Sequence, residues 1–475
     1  MFYMYILSIC ILFLQIGIIE PHYPGFESLE SQTGSIIISH DTQEASNSSI
    51  QPYLENEWYW QYKGEPVFLI GGGDDDNLFQ WDPDKLIKQL DLLTSNGGNF
   101  VRNTLSTRDE NNRLPFVKKN ERFELSLWNQ DFWNRFEYFL KETSRRDIIV
   151  QLTLWDQHDL VADRWNDHYW NPKNNSIGLE ASGIYDDHAF FSAVKDRNAL
   201  VLPYQQKYIE KVLSYSLKYD HVLYNITNEG WAGLEWEVYW ANYITKHAKQ
   251  QGKHIEVTTM EHGPGLSVDA VLKYPSVFSY IEVSQNNNYS TGYKGKLHWE
   301  HVIIWREEVN NTLGPRPFVN EKIYGAPGDE RPSRGTDKDA IQRFWRNAFS
   351  GCSAVRFHRP GSGLGLSEQA QKEISAMRLF LDDLNIFISK PAPDLIVSSS
   401  DEEAYCLLSE SGKIAIYLPY GGKIALKAED DEYNMKGLLI EEGTWSTSAL
   451  IKSDSGNLKL NFPESQSSII MLSPN

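Results

Sequence analysis

The chain has 475 residues, of which 41% are hydrophobic and 23% are charged. These values are typical of a folded protein with one large and one smaller domain. They exclude a disulfide-stapled miniprotein, a mostly disordered chain and a multi-span membrane protein. The formal net charge is −19, from 45 Lys and Arg residues against 64 Asp and Glu residues. A chain so acidic is poorly suited to holding a phosphate backbone, and we expect no nucleic-acid partner.

An apolar run without charged side chains occupies residues 4–19. It is shorter than the roughly 20 residues that a membrane helix needs and lies where a secretory signal lies. We therefore predict a signal peptide over residues 1–20, no other membrane contact, and a secreted, periplasmic or cell-surface protein. Because no Lys or Arg precedes the run, an uncleaved N-terminal anchor is the alternative. Residues 21–50, rich in Ser, Gly and Gln, are predicted to be a linker or tail.

Residues 51–390 alternate short β-branched runs with amphipathic helical stretches, which predicts an α/β fold with a parallel sheet. Eight strand candidates can be counted, at residues 67–70, 100–104, 148–154, 222–227, 255–259, 280–283, 317–320 and 354–357. Eight such units predict a (β/α)8 TIM barrel with enlarged loops. The longest insertion, residues 155–199, is rich in aromatic residues and is predicted to wall a cleft.

After residue 390 the apolar residues recur with period two. Examples are Ile414, Ile416 and Leu418, separated from later runs by Gly and Asp turns. We predict a small antiparallel, β-sandwich-like domain over residues 391–475. Cys352 and Cys406 lie in apolar contexts and are predicted to be buried free thiols.

Two carboxylates follow strand candidates where a barrel places its catalytic groups. Glu229 ends the fourth candidate and Glu321 the seventh, 92 residues apart, which corresponds to three strand-helix units of about 31 residues. Both side chains should therefore face the same mouth of the barrel. Two carboxylates across a sugar-sized cleft are what glycoside hydrolysis requires.

With Asn228 directly before Glu229, this pattern resembles the clan of retaining glycoside hydrolases with (β/α)8 barrels. More narrowly, residues 68–102, the segment 321–324 and the ending 378–395 are similar to the apiosidase-like family, whose members often end in a small domain named as collagen-binding. The resemblance spans most of residues 58–475. The chain departs from the clan at strand eight, where it reads VRFHRP instead of ending in Trp. It departs from the apiosidase-like family after strand one, where it reads GDDD.

The resemblance implies a retaining, double-displacement glycosidase with Glu229 as the general acid/base and Glu321 as the nucleophile. It further implies that Asn228 binds a sugar hydroxyl and that Arg102 orients the nucleophile. Arg102 is expected to hold the pKa of Glu321 down, and the charge of Glu321 to hold the pKa of Glu229 up. The implied substrate is a plant or algal polysaccharide or oligosaccharide, neutral or anionic, and no cofactor or metal is implied.

Further substrate-binding candidates at the mouth are Asp76, Trp155, Asp156, His158, Trp231, Gln285, Tyr324, His358 and Arg359. His358 and Arg359 would suit a carboxylated or sulfated sugar, or would form salt bridges to acidic neighbours. Asp156 and His158 could bind a sugar or hold the long insertion. The run 74–76 could bind calcium, but a solvated turn, or one Asp on a sugar hydroxyl, is favoured.

No Ser-His-Asp order, phosphate-binding loop or zinc spacing is evident in the sequence. A carbohydrate-binding protein that has lost turnover is the alternative function. Adhesion to extracellular matrix through residues 394–475 is a third hypothesis, which rests on the family label alone.

Overall fold

The computed structural model describes residues 48–160, 163–177, 187–230, 232–289, 295–325, 335–400, 403–428, 432–464 and 466–475. The predicted signal peptide, nearly all of the predicted linker and Trp231 lie outside these residues. Among the described residues, no helix combines the length and the apolar character that crossing a membrane requires.

Eight parallel strands form the centre of the fold. They are β1 (Leu69–Gly72), β2 (Phe100–Thr104), β3 (Ile149–Asp156), β4 (Val222–Asn228), β5 (Val257–Thr258), β6 (Ile281–Glu282), β7 (Phe318–Ile323) and β8 (Ala354–Phe357). Their hydrogen-bonded order is β5-β4-β3-β2-β1-β8-β7-β6, so the first strand pairs with the last and the sheet curls into a barrel. The strands are buried on both faces, as expected for a parallel sheet covered by helices. The predicted barrel is confirmed.

Helices connect successive strands and cover the barrel. They span Pro83–Ser95, Gln130–Ser144, Asp163–Asp167, Asp187–Lys195, Leu202–Ser216, Leu234–Gln250, Leu266–Lys273, Gly295–Leu313, Asp337–Phe349 and Glu368–Leu384. Local sequence explains their boundaries: the first begins with a proline in its first turn, and the helix Asp337–Phe349 begins with a capping box of Thr336 and Asp339. An antiparallel hairpin, Phe116–Lys119 and Arg122–Trp128, precedes the second helix.

An apolar layer fills the N-terminal end of the barrel. It consists of residues from the starts of the strands and the segment before them: Ile50, Trp60, Leu69, Phe100, Ile149, Leu223, Tyr280, Val319 and Ala354. Trp60 belongs to a three-stranded antiparallel sheet of Gln51–Tyr53, Asn56–Tyr62 and Glu65–Val67. Its ring lies 5.2 Å from that of Tyr280 in an edge-to-face contact. These apolar side chains therefore close the interior of the barrel at this end.

The C-terminal region contains antiparallel sheets, which confirms the predicted β-domain. One sheet joins Ser389–Pro391, Tyr405–Ser409, Ile414–Leu418, Ser468–Pro474, Glu432–Leu439 and Thr444–Trp445, with Ala449–Lys452 paired to Glu432–Leu439. Another joins Ile396–Ser399, Gly422–Lys427 and Asn457–Phe462. Alternating residues such as Ile416, Ile424 and Leu458 pack together in one apolar cluster, as their period of two predicts.

This region is attached to the barrel through the helix Asp337–Phe349. Arg346 on that helix lies 2.5 Å from Glu403, and both side chains are almost fully buried. Phe349 on the same helix contacts Tyr417, with ring centroids 5.6 Å apart. Cys352 and Cys406 are free and buried, as predicted.

Candidate active site

A polar pocket of about 320 Å³ lies at the C-terminal ends of the barrel strands. It is lined by Asp76, Arg102, Arg108, His158, Arg164, Asn228, Glu229, His262, Gln285, Lys322, Tyr324, His358, Arg359 and Ser362. Most predicted site residues are therefore brought together. Glu321, Trp155 and Asp156 do not line the pocket.

The end of β4 turns Glu229 into this pocket. Glu229 has a φ of +53°, a left-handed conformation that is uncommon outside glycine and is found at strained functional sites. The next residue, Gly230, has no room for a side chain because a Cβ would lie 2.2 Å from the Glu237 carboxylate. Its amide donates to the Met260 carbonyl at 2.8 Å. The loop is thus held by its neighbours, and 14% of the Glu229 side chain remains exposed.

A β-bulge in β7 places two adjacent side chains on the inside of the barrel. Asn320 is in register with Val355 and Ile323 with Phe357, so β7 has one residue more than β8 over this stretch. The amides of Glu321 and Lys322 both donate to Ser284 Oγ, at 2.9 and 3.0 Å. In a regular strand these two side chains would point to opposite faces. The bulge explains why Lys322 is a pocket residue.

Arg102 on β2 connects the two strand ends. Its guanidinium donates to Asn228 Oδ1 at 2.8 Å. It also lies 2.8 Å from Glu321 Oε1 and 2.8 Å from Asp76 Oδ2. Lys322 Nζ donates to Asn228 Oδ1 as well, and it lies 2.7 Å from Glu229 Oε1. Glu229 and Glu321 therefore belong to one buried network of charged groups.

Glu321 is completely buried and shares a partner with a second acid, Glu282. Gln151 Nε2 donates to both carboxylates, at 2.6 Å to Glu321 and 3.1 Å to Glu282. Burial raises the pKa of Glu321, against the opposing charges of Arg102 and Lys322. Burial and the neighbouring Glu321 raise the pKa of Glu282 to about 8. Both acids therefore hold a proton more readily than exposed carboxyl groups do.

Glu229 is in the opposite electrostatic situation. Burial alone would raise its pKa, but Lys322 at 2.7 Å and His158 Nε2 at 2.6 Å outweigh burial and hold the pKa of Glu229 well below its ordinary value. The expected directions, with the pKa of Glu229 raised and that of Glu321 lowered, are therefore wrong for this conformation. The reason is that the groups in contact with Glu229 are Lys322 and His158, and not the anion Glu321.

Asp76 is a buried carboxylate surrounded by cations. It lies 2.8 Å from Arg102, 3.4 Å from Arg356 and 3.6 Å from Arg359. Burial would raise the pKa of Asp76, but these cations hold it well below its ordinary value. The other two acids of this run also have protein partners: Asp74 accepts from the Leu366 amide and Asp75 from the Trp81 indole. No cluster of three or more His, Cys, Asp or Glu side chains suited to a metal ion occurs among the described residues.

The end of β8 contributes only one cation to the pocket. His358 is buried, and burial lowers its pKa well below the ordinary value, so His358 is neutral near pH 7. Its ring packs on that of Tyr324, with centroids 4.7 Å apart. Both predicted residues line the pocket: His358 Nδ1 lies 3.6 Å from Asp76, and the Arg359 side chain is 35% exposed.

The residues after β3 divide between the pocket and its support. Asp156 lies 2.6 Å from Arg108 and accepts a hydrogen bond from Asn228 Nδ2 at 2.8 Å, so it positions pocket residues from behind. His158 lines the pocket and contacts Glu229. Trp155 is packed against Trp240 and Tyr208, at 5.2 and 5.6 Å between ring centroids, and belongs to the core.

The described aromatic residues of the long insertion are largely buried, and Tyr169 and His168 also line a second cavity beside Arg164. Trp165, Tyr169, Trp170 and Phe190 are buried. Pairs such as Trp170 and Phe190 lie 5.3 Å apart between centroids. Burial leaves these four rings little surface for stacking on a sugar face.

Five pocket residues were not among the predicted ones: Arg108, Arg164, His262, Lys322 and Ser362. Arg108 follows β2 closely in the chain and could have been found by extending the search beyond the residue directly after each strand. Lys322 gave no such signal, because strict alternation from Glu321 places it outside the barrel.

Comparisons with known proteins show similarity in fold. No protein-family model matches the chain, and no curated protein matches it. Among solved structures it is similar to one described as a glycoside hydrolase, with a TM-score of 0.61, 11% identity, and coverage of 91% of this chain and 98% of that one. It is also similar to a glycoside hydrolase of family 5 from Bacteroides vulgatus, with a TM-score of 0.61, 12% identity, and coverage of 91% and 95%.

A third similar structure is a family 5 mannosidase from Rhizomucor miehei in complex with mannosyl-fructose. Its TM-score is 0.52 at 12% identity, with coverage of 72% of this chain and 98% of that one. At these identities the likeness establishes the barrel fold. The resemblance to the apiosidase-like family stays a prediction.

Proposed function

We propose that the protein is an exported retaining glycoside hydrolase that acts on a polysaccharide or oligosaccharide. The observation that carries the proposal is the network in which Arg102 contacts both Glu321 and the neighbour of Glu229, at the open end of the barrel. The likeness in fold to glycoside hydrolases supports it. Export rests on the apolar segment 4–19.

In the proposed mechanism, the Glu321 carboxylate attacks the anomeric carbon while Glu229 gives its proton to the departing glycosidic oxygen. Water, losing a proton to Glu229, then displaces Glu321 and releases the sugar. Arg102 holds Glu321 in position and stabilises its charge. Asn228, which accepts hydrogen bonds from Arg102 and Lys322, is assigned the binding of a sugar hydroxyl in this mechanism.

The ion pair between Lys322 and Glu229 sets a condition on this mechanism. Glu229 can act as an acid only when it carries a proton, and Lys322 at 2.7 Å favours the ionised form. Glu321 must also become accessible, since it is fully buried here. Substrate binding must therefore move Lys322 away from Glu229 and open the way to Glu321.

These two observations also favour a second candidate function, a carbohydrate-binding protein without turnover. In that case the pocket binds a glycan while Lys322 permanently neutralises Glu229. The two functions differ in whether any glycosidic bond is cleaved.

The test is a reducing-end assay of the purified protein on a panel of neutral, uronic-acid and sulfated glycans, with Glu321→Gln and Glu229→Ala alongside. We expect the unmodified protein to cleave at least one glycan. The rate of cleavage should fall by a factor on the order of 10⁴ in Glu321→Gln. Glu229→Ala should still form the glycosyl-enzyme from aryl glycosides with good leaving groups, because these need no acid. Equal loss on every substrate in both variants would contradict the role assignment. Saturable binding without cleavage would establish the second candidate.

A further inference from the structure

The pocket carries more positive than negative side chains, although the chain as a whole is acidic. Its lining includes two carboxylates, Asp76 and Glu229, and five cations, Arg102, Arg108, Arg164, Lys322 and Arg359. A local excess of one sign of charge in a cleft raises the local concentration of ligands of the opposite sign.

Three of these cations are matched by protein carboxylates. Arg102 lies within 2.8 Å of both Asp76 and Glu321. Arg108 lies within 2.8 Å of Asp156, and Lys322 lies within 2.8 Å of Glu229. Their charge is therefore largely neutralised by groups in the pocket wall or directly behind it.

Arg359 and Arg164 are not matched in this way. Arg359 has only a contact of 3.6 Å to Asp76, which is already closer to Arg102 and Arg356. Arg164 donates one hydrogen bond, at 2.9 Å, to the carbonyl of His158, and no carboxylate among the described residues lies within 4.0 Å of it. Both side chains are at least one third exposed and reach the same pocket.

We propose that the pocket binds a sugar bearing an oxyanion substituent, either a carboxylate or a sulfate, and that Arg359 and Arg164 determine this specificity. A guanidinium forms paired, charge-assisted hydrogen bonds with such oxyanions. The inference rests on the proposed function in taking the ligand to be a saccharide. It does not depend on turnover.

Arg164 also lines a second cavity, of about 220 Å³, which shares Arg108 and Arg164 with the main pocket. The shared residues place Arg164 at the junction of the two spaces. An oligosaccharide chain could thus continue from the main pocket past Arg164, which favours oligosaccharides over single sugars as probes.

The experiment measures binding by titration calorimetry to the Glu321→Gln variant, which cannot turn the probe over. Two matched pairs serve as probes: oligogalacturonate with its methyl ester, and a sulfated galactan oligosaccharide with its desulfated form. Arg359→Gln and Arg164→Gln are each introduced into this background. The matched control is Arg145→Gln, a change to a side chain that is 66% exposed and lies before the start of β3, at the closed end of the barrel.

We expect the charged member of one pair to bind at least tenfold more tightly than its neutral partner. Arg359→Gln and Arg164→Gln should each weaken that binding by a factor on the order of ten to a hundred, and Arg145→Gln should leave it unchanged. The preference should decrease at high salt. A preference in the first pair identifies a carboxylate and in the second a sulfate. Equal melting temperatures of the variants show that the losses come from the pocket.

Equal affinity for both members of each pair would overturn the inference, and so would undiminished binding in both pocket variants. Cleavage of a neutral glycan by the unmodified protein, abolished by Glu321→Gln, would leave the hydrolase function standing without the anion specificity. Tight, Arg359-dependent binding of a charged probe without cleavage by the unmodified protein would support the inference and contradict the hydrolase.

Discussion

The two ends of the barrel are built from the same strands but are filled in different ways. At the N-terminal end, residues such as Trp60, Phe100 and Ile149 form a closed apolar layer. At the C-terminal end, β2 and β7 instead carry Arg102 and Glu321, which are equally buried. Burial of apolar side chains stabilises a fold directly. Burial of charges costs free energy and is tolerated only when each charge is paired.

The comparison shows how one scaffold separates stability from chemistry. The apolar layer can be altered without touching any group of the pocket. The charged layer cannot be altered in this way, because the single side chain of Arg102 contacts Asp76, Asn228 and Glu321. The following variants test this separation, from the largest expected effect to the smallest.

Arg102→Met should affect both stability and function. It leaves the buried carboxylates of Asp76 and Glu321 without their nearest cation, which typically costs about 3–5 kcal/mol in the free energy of unfolding. Urea unfolding measures this loss, and the glycan assay should show no activity. Arg113→Met, which breaks the exposed pair with Asp131, should cost less than about 1 kcal/mol. Similar losses of unfolding free energy in the two variants would contradict the conclusion that the buried carboxylates depend on pairing with Arg102.

Trp60→Ala should lower stability but spare the pocket. Removing a fully buried tryptophan leaves a cavity, with an expected loss of about 3–5 kcal/mol. Because Trp60 lies at the closed end of the barrel, glycan affinity at a temperature where the variant is folded should equal that of the unmodified protein. A change of more than about threefold in affinity would show that the two ends are coupled.

Lys322→Gln should raise the pKa of Glu229 by removing its nearest cation. A carboxyl group whose pKa is lowered by folding contributes stability above its unfolded pKa, and this contribution is lost as the pH falls. The variant should therefore lose less stability between pH 6 and pH 3 than the unmodified protein does, as measured by thermal unfolding. In the glycan assay, the basic limb of the pH–rate profile should move to higher pH. Lys218→Gln, at an exposed ion pair, serves as the control, and identical acid sensitivity in both variants would refute the role of Lys322.

Glu282→Gln should have its smallest effect at pH 5, and the effect should grow as the pH rises toward 8. With a pKa of about 8 against an ordinary value of 4.5, the folded protein keeps this proton in a pH range where the unfolded chain releases it. Stability therefore falls as the pH rises through that range, and the amide, which mimics the protonated acid, should remove this fall. At pH 5 the change should be below about 1 kcal/mol. An unchanged slope of melting temperature between pH 5 and pH 9 would contradict the assignment.

The amino-acid sequence by itself determined the fold class and the place of the site. The strands were predictable because each is a short apolar run bounded by helical periodicity, as in 100–104 and 354–357, and both signals are local. Glu229 and Glu321 could be assigned to one end of the barrel because parallel strands place their C-terminal ends together. The period of two after residue 390 predicted the antiparallel sheets for the same local reason.

Only the tertiary structure decided which side chains reach the pocket and in which charge state. Lys322 reaches the pocket through a bulge held by Ser284, which is 38 residues away in the chain. The spacing of residues in the sequence does not predict that contact. Trp155 turns into the core because Trp240 and Tyr208 surround it, and His358 is neutral because its neighbours bury it. Side-chain direction at a bulge, burial and pKa all depend on groups that are distant in the sequence, so they are properties of the folded chain.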